Sequence, residues 1–176
     1  MSIIPSTRYT SSLRIIHWLT VVAIIAAYIL ADMDEGGEHG EAAAASWHYA
    51  AGLLVLLLVV PRLLLRLFTR TPPIVPAAGA VTRVTARLVQ VALYLFLIVE
   101  PILGWLQLSY AGEPLTLPWA GWSLPPLVHP DPQAKAWVGE LHEAVGNVFY
   151  AIIAVHVLAA LWHHFIRRDN TLKRML

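Results

Sequence analysis

Four histidines, His17, His48, His142 and His156, fall within long apolar stretches of this chain. An ionisable side chain placed in hydrocarbon is costly, and one that occurs there usually serves a function. A soluble core often holds one satisfied structural histidine; four in one small apolar chain point instead to ligands. The chemistry open to them is set partly by what is missing. The sequence contains no cysteine, which excludes disulfides, iron–sulfur clusters, thiolate-ligated haem and covalent haem attachment through a C-x-x-C-H motif. A redox cofactor must be held by other side chains, and imidazole is the obvious candidate.

The elements that must position these rings are membrane-spanning. Of the 176 residues, 58% are hydrophobic and only 13% charged, against about 45–50% and about 25% in soluble domains. The length suits one domain, spanning 1–176. Four apolar stretches stand out, at about 15–31, 43–67, 88–108 and 137–166. Each is long enough to cross hydrocarbon, which takes roughly 17–25 residues of helix. Each must be helical, because lipid offers no partner to bare backbone groups. The expected fold is all-α, an integral-membrane four-helix bundle. The first stretch is read as a retained span, not a cleaved signal, because its apolar run exceeds a signal's and His17 and Trp18 sit at its start.

Charge orients the bundle. Of the twelve Lys and Arg residues, only Lys135 falls in a segment on the side away from both termini. By the positive-inside rule, both termini and the 67–87 connection are cytoplasmic. The opposite side carries acids, from Asp32 to Glu41 and at Glu113 and Asp131. No basic patch with interleaved aromatics is present, so nucleic acid is not an expected partner; membrane lipid is.

Orientation then sets depth. His17 lies near the cytoplasmic start of the first helix. His48 and His142 lie near the outer starts of the second and fourth. His156 follows His142 by 14 residues, roughly 21 Å further in at 1.5 Å per residue. Only two pairings match in depth, His17 with His156 and His48 with His142. Fourteen residues are just under four turns, so one face of the fourth helix serves both levels. Two axial imidazoles from different helices suit six-coordinate haem b in a bundle core, and two such haems would relay an electron across most of the membrane. A non-redox metal transporter is the rival for the same residues, but tetrahedral zinc wants ligands converging on one point.

Other residues have weaker claims. Arg14, Arg62 and Arg66 lie at the depth where the inner haem's propionates would emerge, and Arg pairs well with carboxylates; snorkelling accounts for them equally. Glu100 is the lone acid deep in the third stretch, next to Pro101. A proton relay or a hydrogen-bonded acid at a kink both fit it. Lys135 sits within two turns of His142, where it would draw a small anion, or is simply an exposed lysine. His163 and His164 read as interfacial polar residues with a possible share in a quinone or propionate site. His39 and His129 read as incidental loop residues. Trp119 and Trp122 suit an interfacial belt.

Taken together, the motifs resemble the bacterial cytochrome b561 family. They are Arg14-x-x-His17-Trp18, Arg62-x-x-x-Arg66 followed by Thr71-Pro72-Pro73, His142-Glu143 with His156, His163-His164, and Asp169-x-x-Leu172-x-Arg174-Met175. The resemblance implies a four-helix transmembrane bundle with two b haems and the four histidines as axial ligands. In character it is nearest the superoxide-oxidising members of the bacterial inner membrane. That implies oxidation of superoxide on the periplasmic side and reduction of ubiquinone, with Lys135 and Trp137 near the donor. No obligatory protein partner is expected. The acidic 32–41 loop is a departure, since it repels an anion. A related possibility is an electron-transfer subunit that passes electrons between a partner dehydrogenase or hydrogenase and quinone.

Overall fold

The computed structural model describes residues 7–34, 41–119 and 121–176. Four helices dominate it: α1 (Ser11–Asp34), α2 (Glu41–Phe68), α3 (Ala80–Ala111) and α4 (Pro132–Phe165). All four are long and apolar enough to cross a membrane. A small antiparallel hairpin, β1 (Leu115–Thr116) with β2 (Ser123–Leu124), lies between α3 and α4. The end of the bundle near this hairpin is called the hairpin end. The other, where Tyr9 and the C-terminal residues lie, is the tail end.

The helices run past their apolar cores. Helix α3 begins at Ala80 rather than near 88, because Thr82, Arg83, Thr85 and Arg87 continue the helix beyond its apolar part. Arg83 closes that first turn by donating to the Ala78 carbonyl at 2.6 Å. Helix α4 begins at Pro132 rather than near 137. The Asp131 carboxylate caps it, accepting from the backbone N–H of Gln133 and Ala134 at 2.9 and 3.1 Å, and Pro132 fits the first turn, where an N–H is not needed. At the C-terminus of α3, Gly112 adopts φ 78°, a left-handed conformation that terminates helices and favours glycine. A Cβ there would also meet Pro130 at 3.2 Å.

The packing is uneven. Helices α1 and α2 pack together, as do α3 and α4, and α2 joins α3. Among the described residues, no Cα of α4 comes within 8 Å of a Cα in α1 or α2. The shared core is thin: Ala23, Val55, Val59, Leu97 and Phe149, with Phe96 stacked on Phe149 at 5.1 Å. Only Val138 and Phe149 of α4 are buried. Most of the large apolar side chains face outward, as a lipid-facing surface requires. The result is a bundle with an interior gap between α4 and the α1–α2 pair.

The tail end is knitted by polar contacts. The residues after α4 fold back beneath the bundle. The Tyr9 N–H donates to the Arg174 carbonyl at 3.0 Å, and Arg174 donates to the Tyr9 hydroxyl at 3.0 Å. Asn170 exchanges bonds with the Val75 backbone and donates to the Pro73 carbonyl. The Trp18 indole donates to the Met175 carbonyl at 3.0 Å. Asp169 is buried and accepts from the Thr171 N–H at 2.9 Å, with His163 Nδ1 at 2.5 Å and Arg167 Nε at 3.7 Å. Burial opposes ionisation of this carboxyl, but the hydrogen bonds from Thr171 and His163 outweigh it and hold its pKa below the usual range.

Candidate functional site

The interior gap is where the histidines meet. At the hairpin end, His48 projects from α2 and His142 from α4, both half-buried. Their ring centroids are 6.2 Å apart and their planes 84° from parallel. A metal atom bonded to two imidazole nitrogens at about 2.0–2.1 Å each sets the centroids about 6 Å apart. His48 Nδ1 lies 2.8 Å from the Ala27 carbonyl of α1. That carbonyl can only accept, so Nδ1 carries the proton and Nε2 is left with its lone pair free, the arrangement expected of a ligating histidine. His142 Nδ1 is 3.2 Å from Glu100 Oε1 of α3.

Both rings line a cavity of about 700 Å³. Its deeper wall is apolar, with Ile24, Leu53, Leu56, Phe96 and Leu97 among its members, while Asp32, Glu113, Lys135 and Glu143 stand around the rest. The His142 ring packs against α3 at Gly104, where a Cβ would stand 3.4 Å from His142 Cε1, an ordinary packing distance.

At the tail end, His17 of α1 and His156 of α4 are close enough to interact electrostatically, and Arg62 of α2 acts on both. Arg62 lies 3.0 Å from His17 Nδ1. A guanidinium can only donate, so Nδ1 is the acceptor here. Arg62 also lies over the Tyr94 ring, 5.6 Å from its centroid. The large cavity does not reach this level.

The remaining sequence candidates divide. Lys135 lines the cavity beside His142, whereas Trp137 points away and is 63% exposed. Of the three arginines, Arg62 alone sits among the tail-end histidines. Arg14 donates to the Leu176 carbonyl at 2.5 Å. Arg66 donates to the Thr71 hydroxyl and lies over Tyr9. Arg14 thus braces the folded-back tail, while Arg66 ties the end of α2 to Thr71 and Tyr9. His163 is engaged by Asp169, while His164 packs edge-on to Phe165 at 4.8 Å. His129 is exposed. His39 and the acids Glu35 and Glu38 lie outside the described residues. Ala27, Tyr94 and Tyr9 carry no sequence signal of their part here: a backbone carbonyl leaves no trace in sequence, and neither tyrosine falls in a recognisable motif.

The donor set fits a haem. It offers paired imidazoles from facing helices, a ring separation suited to a shared metal, a gap between helices, and an apolar pocket with a polar rim. Among the described residues no group of three or more His, Asp or Glu side chains converges as a metal cluster, so the arrangement does not resemble a compact tetrahedral site.

Fold and site together define a membrane four-helix-bundle cytochrome, an electron-transfer protein holding b-type haem. The sequence pattern of the prokaryotic cytochrome b561 family matches residues 8–176, and the chain belongs to that family, whose members bind b-type haem. It is 31% identical over 172 residues to cytochrome b561 homolog 1 of Escherichia coli K12, covering 96% of this chain and 97% of that one. It is 31% identical over 176 residues to cytochrome b561 homolog 2 of the same organism, covering 96% and 91%. It is also 30% identical over 170 residues to the probable superoxide oxidase CybB of Yersinia pestis, covering 92% and 91%. Four spans and this membership fit a multi-pass protein of the inner membrane.

Proposed function

We propose that the chain is a di-haem cytochrome that takes electrons from superoxide at the hairpin end, on the periplasmic side, and delivers them to ubiquinone. The observation that carries this reading is the pair His48 and His142, facing each other 6.2 Å apart on a cavity that Lys135 also lines. The likeness to a probable superoxide oxidase supports superoxide as the donor. His48 and His142 would hold one haem, His17 and His156 the other. Each haem supplies reversible one-electron chemistry at its iron.

The side chains have distinct parts. Lys135 draws a small anion toward the cavity. The Ala27 carbonyl fixes the tautomer of His48. When His17 ligates through Nε2, its Nδ1 carries a proton and no longer accepts from Arg62; the guanidinium is then free to meet a haem propionate. In balance, two superoxide ions each lose one electron to become dioxygen. Those two electrons, with two protons, convert one ubiquinone to ubiquinol. By the positive-inside count, both termini are cytoplasmic.

A second reading keeps the haems and changes the donor. The carboxylates Asp32, Glu113 and Glu143 share the cavity wall with Lys135 and weaken its pull on an anion. They favour an electron-transfer subunit served by a partner dehydrogenase or hydrogenase. Rapid mixing of the oxidised, purified protein with superoxide separates the two. Haem reduction within the lifetime of superoxide is expected; an oxidised spectrum throughout removes superoxide and leaves the cytochrome.

A further inference from the structure

Glu100 lies on α3, inside the apolar bundle, in a position that topology does not explain. One of its oxygens, Oε1, is 3.2 Å from His142 Nδ1. The other, Oε2, is buried without a hydrogen-bond partner. His142 Nδ1 is likewise buried and forms no hydrogen bond in this geometry, so its 3.2 Å approach to Glu100 Oε1 is a close polar contact still short of one. Helix α4 is shaped to admit this carboxyl. A Cβ at Gly146 would stand 2.9 Å from Glu100 Oε1, closer than side chains tolerate. Gly104, one turn along α3 from Glu100, lies against the imidazole, where an added Cβ would make only van der Waals contact. Gly146 on α4 therefore leaves room for the carboxyl that meets the imidazole.

We infer that Glu100 is a positioning residue: its carboxyl takes the Nδ1 proton of His142 as a hydrogen bond, fixing the tautomer and ring plane that aim Nε2 into the cavity. The inference rests on the proposed ligation by His48 and His142. A metal-bound imidazole that donates its other N–H to a carboxyl is a more basic ligand. A more basic ligand favours the oxidised iron, so Glu100 lowers the reduction potential of that haem and leaves the other haem alone. At the partner ligand the Ala27 carbonyl is a weaker acceptor. The two ligands of one iron are thus held by different groups from different helices.

The test compares Glu100→Leu, Glu100→Gln, Gly146→Ala and His142→Ala in the full chain purified in detergent. Haem content, the low-temperature EPR spectrum and a redox titration are read for each. Glu100→Leu should raise one of the two potentials by about a tenfold change in the reduction equilibrium, 59 mV for one electron, and shift one of the two EPR signals. Glu100→Gln keeps an acceptor oxygen and should recover most of both. Gly146→Ala should act in the same direction as Glu100→Leu by pushing the carboxyl off. Where Glu100→Leu loses a haem outright, retention of that haem by Glu100→Gln carries the same conclusion. A fully loaded Glu100→Leu protein with unchanged potentials and EPR overturns the inference, as does a Glu100→Gln protein no better than Glu100→Leu. His142→Ala separates this from the reading beneath it. Loss of one haem there upholds the ligand assignment whatever Glu100 does; full haem content removes the assignment itself.

Discussion

At the hairpin end, His48 and His142 face each other across open space, each with its Nδ1 turned to an acceptor, Ala27 or Glu100. At the tail end a guanidinium sits on His17 Nδ1, and the folded-back tail closes the bundle from below. The depth pattern makes these two levels look alike. The structure makes them different sites. The first is an open, acceptor-buttressed pocket reachable from its rim. The second is a more closed one, with the Arg62 cation on its histidines. An electron carrier gains from such inequality, because positive charge favours the reduced state and acceptors on ligands favour the oxidised state. Were each level to hold a haem, as proposed, electrons would run from the hairpin end toward the tail end.

The most severe way to break the comparison is to remove ligands one level at a time. His48→Ala or His142→Ala should lose one haem per chain, and His17→Ala or His156→Ala the other. The pyridine haemochrome content of the purified protein gives the count. Equal loss of both haems from any single substitution would show that the levels are not separate sites.

Next in size is the charge at the tail end. Arg62→Leu removes a cation that acts on both His17 and His156. The tail-end haem should become harder to reduce, by about a tenfold change in its equilibrium or 59 mV, while the hairpin-end haem is unmoved. Substituting Arg14 or Arg66 should do much less, because their contacts are with Leu176, Thr71 and Tyr9. A redox titration resolves both.

The closure of the tail end is tested by pH. The Asp169 carboxyl has a lowered pKa in the folded chain. A group depressed in this way stabilises the fold above its unfolded pKa, about 3.9. That stabilisation is lost as pH falls through the lower folded value. The tail should therefore stay docked from neutral pH down to about 4 and release below it. Asp169→Asn should abolish that acid step and cost about 1.5–3 kcal/mol at neutral pH, as for a hydrogen bond to a charged group. Fluorescence of a probe on Lys173, with thermal unfolding in detergent, measures both.

Much of this was legible in the chain. Apolar runs locate four helices because lipid permits nothing else, and depth pairs the histidines because helical rise is constant. Helix ends were less legible. The polar turns at Thr82–Arg87 and Pro132–Ala136 lie outside the apolar signal, yet caps and local bonds keep them helical. The meeting of Glu100 with His142 depends on the rotation of α3 against α4, which no hydropathy pattern encodes. The tail's return to Tyr9 joins residues 165 apart, and its motif, though visible, carried no hint of what it touched. Trp137 shows the reverse. Its place ahead of His142 pointed to the donor site, but two residues from Lys135 along a helix turn a side chain to another face, and it points outward.

The smallest expected effect lies at the rim, and it is the one that decides what the open level is for. Lys135 shares the cavity wall with Asp32, Glu113 and Glu143, so its attraction for an anion is partly cancelled and further screened by salt. If superoxide is the donor, Lys135→Glu should slow haem reduction several-fold at low ionic strength, and the difference should shrink toward unity near 0.5 M salt. Glu113→Gln should do the opposite, speeding reduction as the field becomes more positive. If a partner protein is the donor, neither substitution should change the rate with superoxide, because no such reaction would be there to change. Opposite shifts from opposite charges, both fading with salt, are the signature of steering by the rim. Shifts of one sign, or shifts indifferent to salt, would mean that the open level meets its electron donor by some contact other than charge.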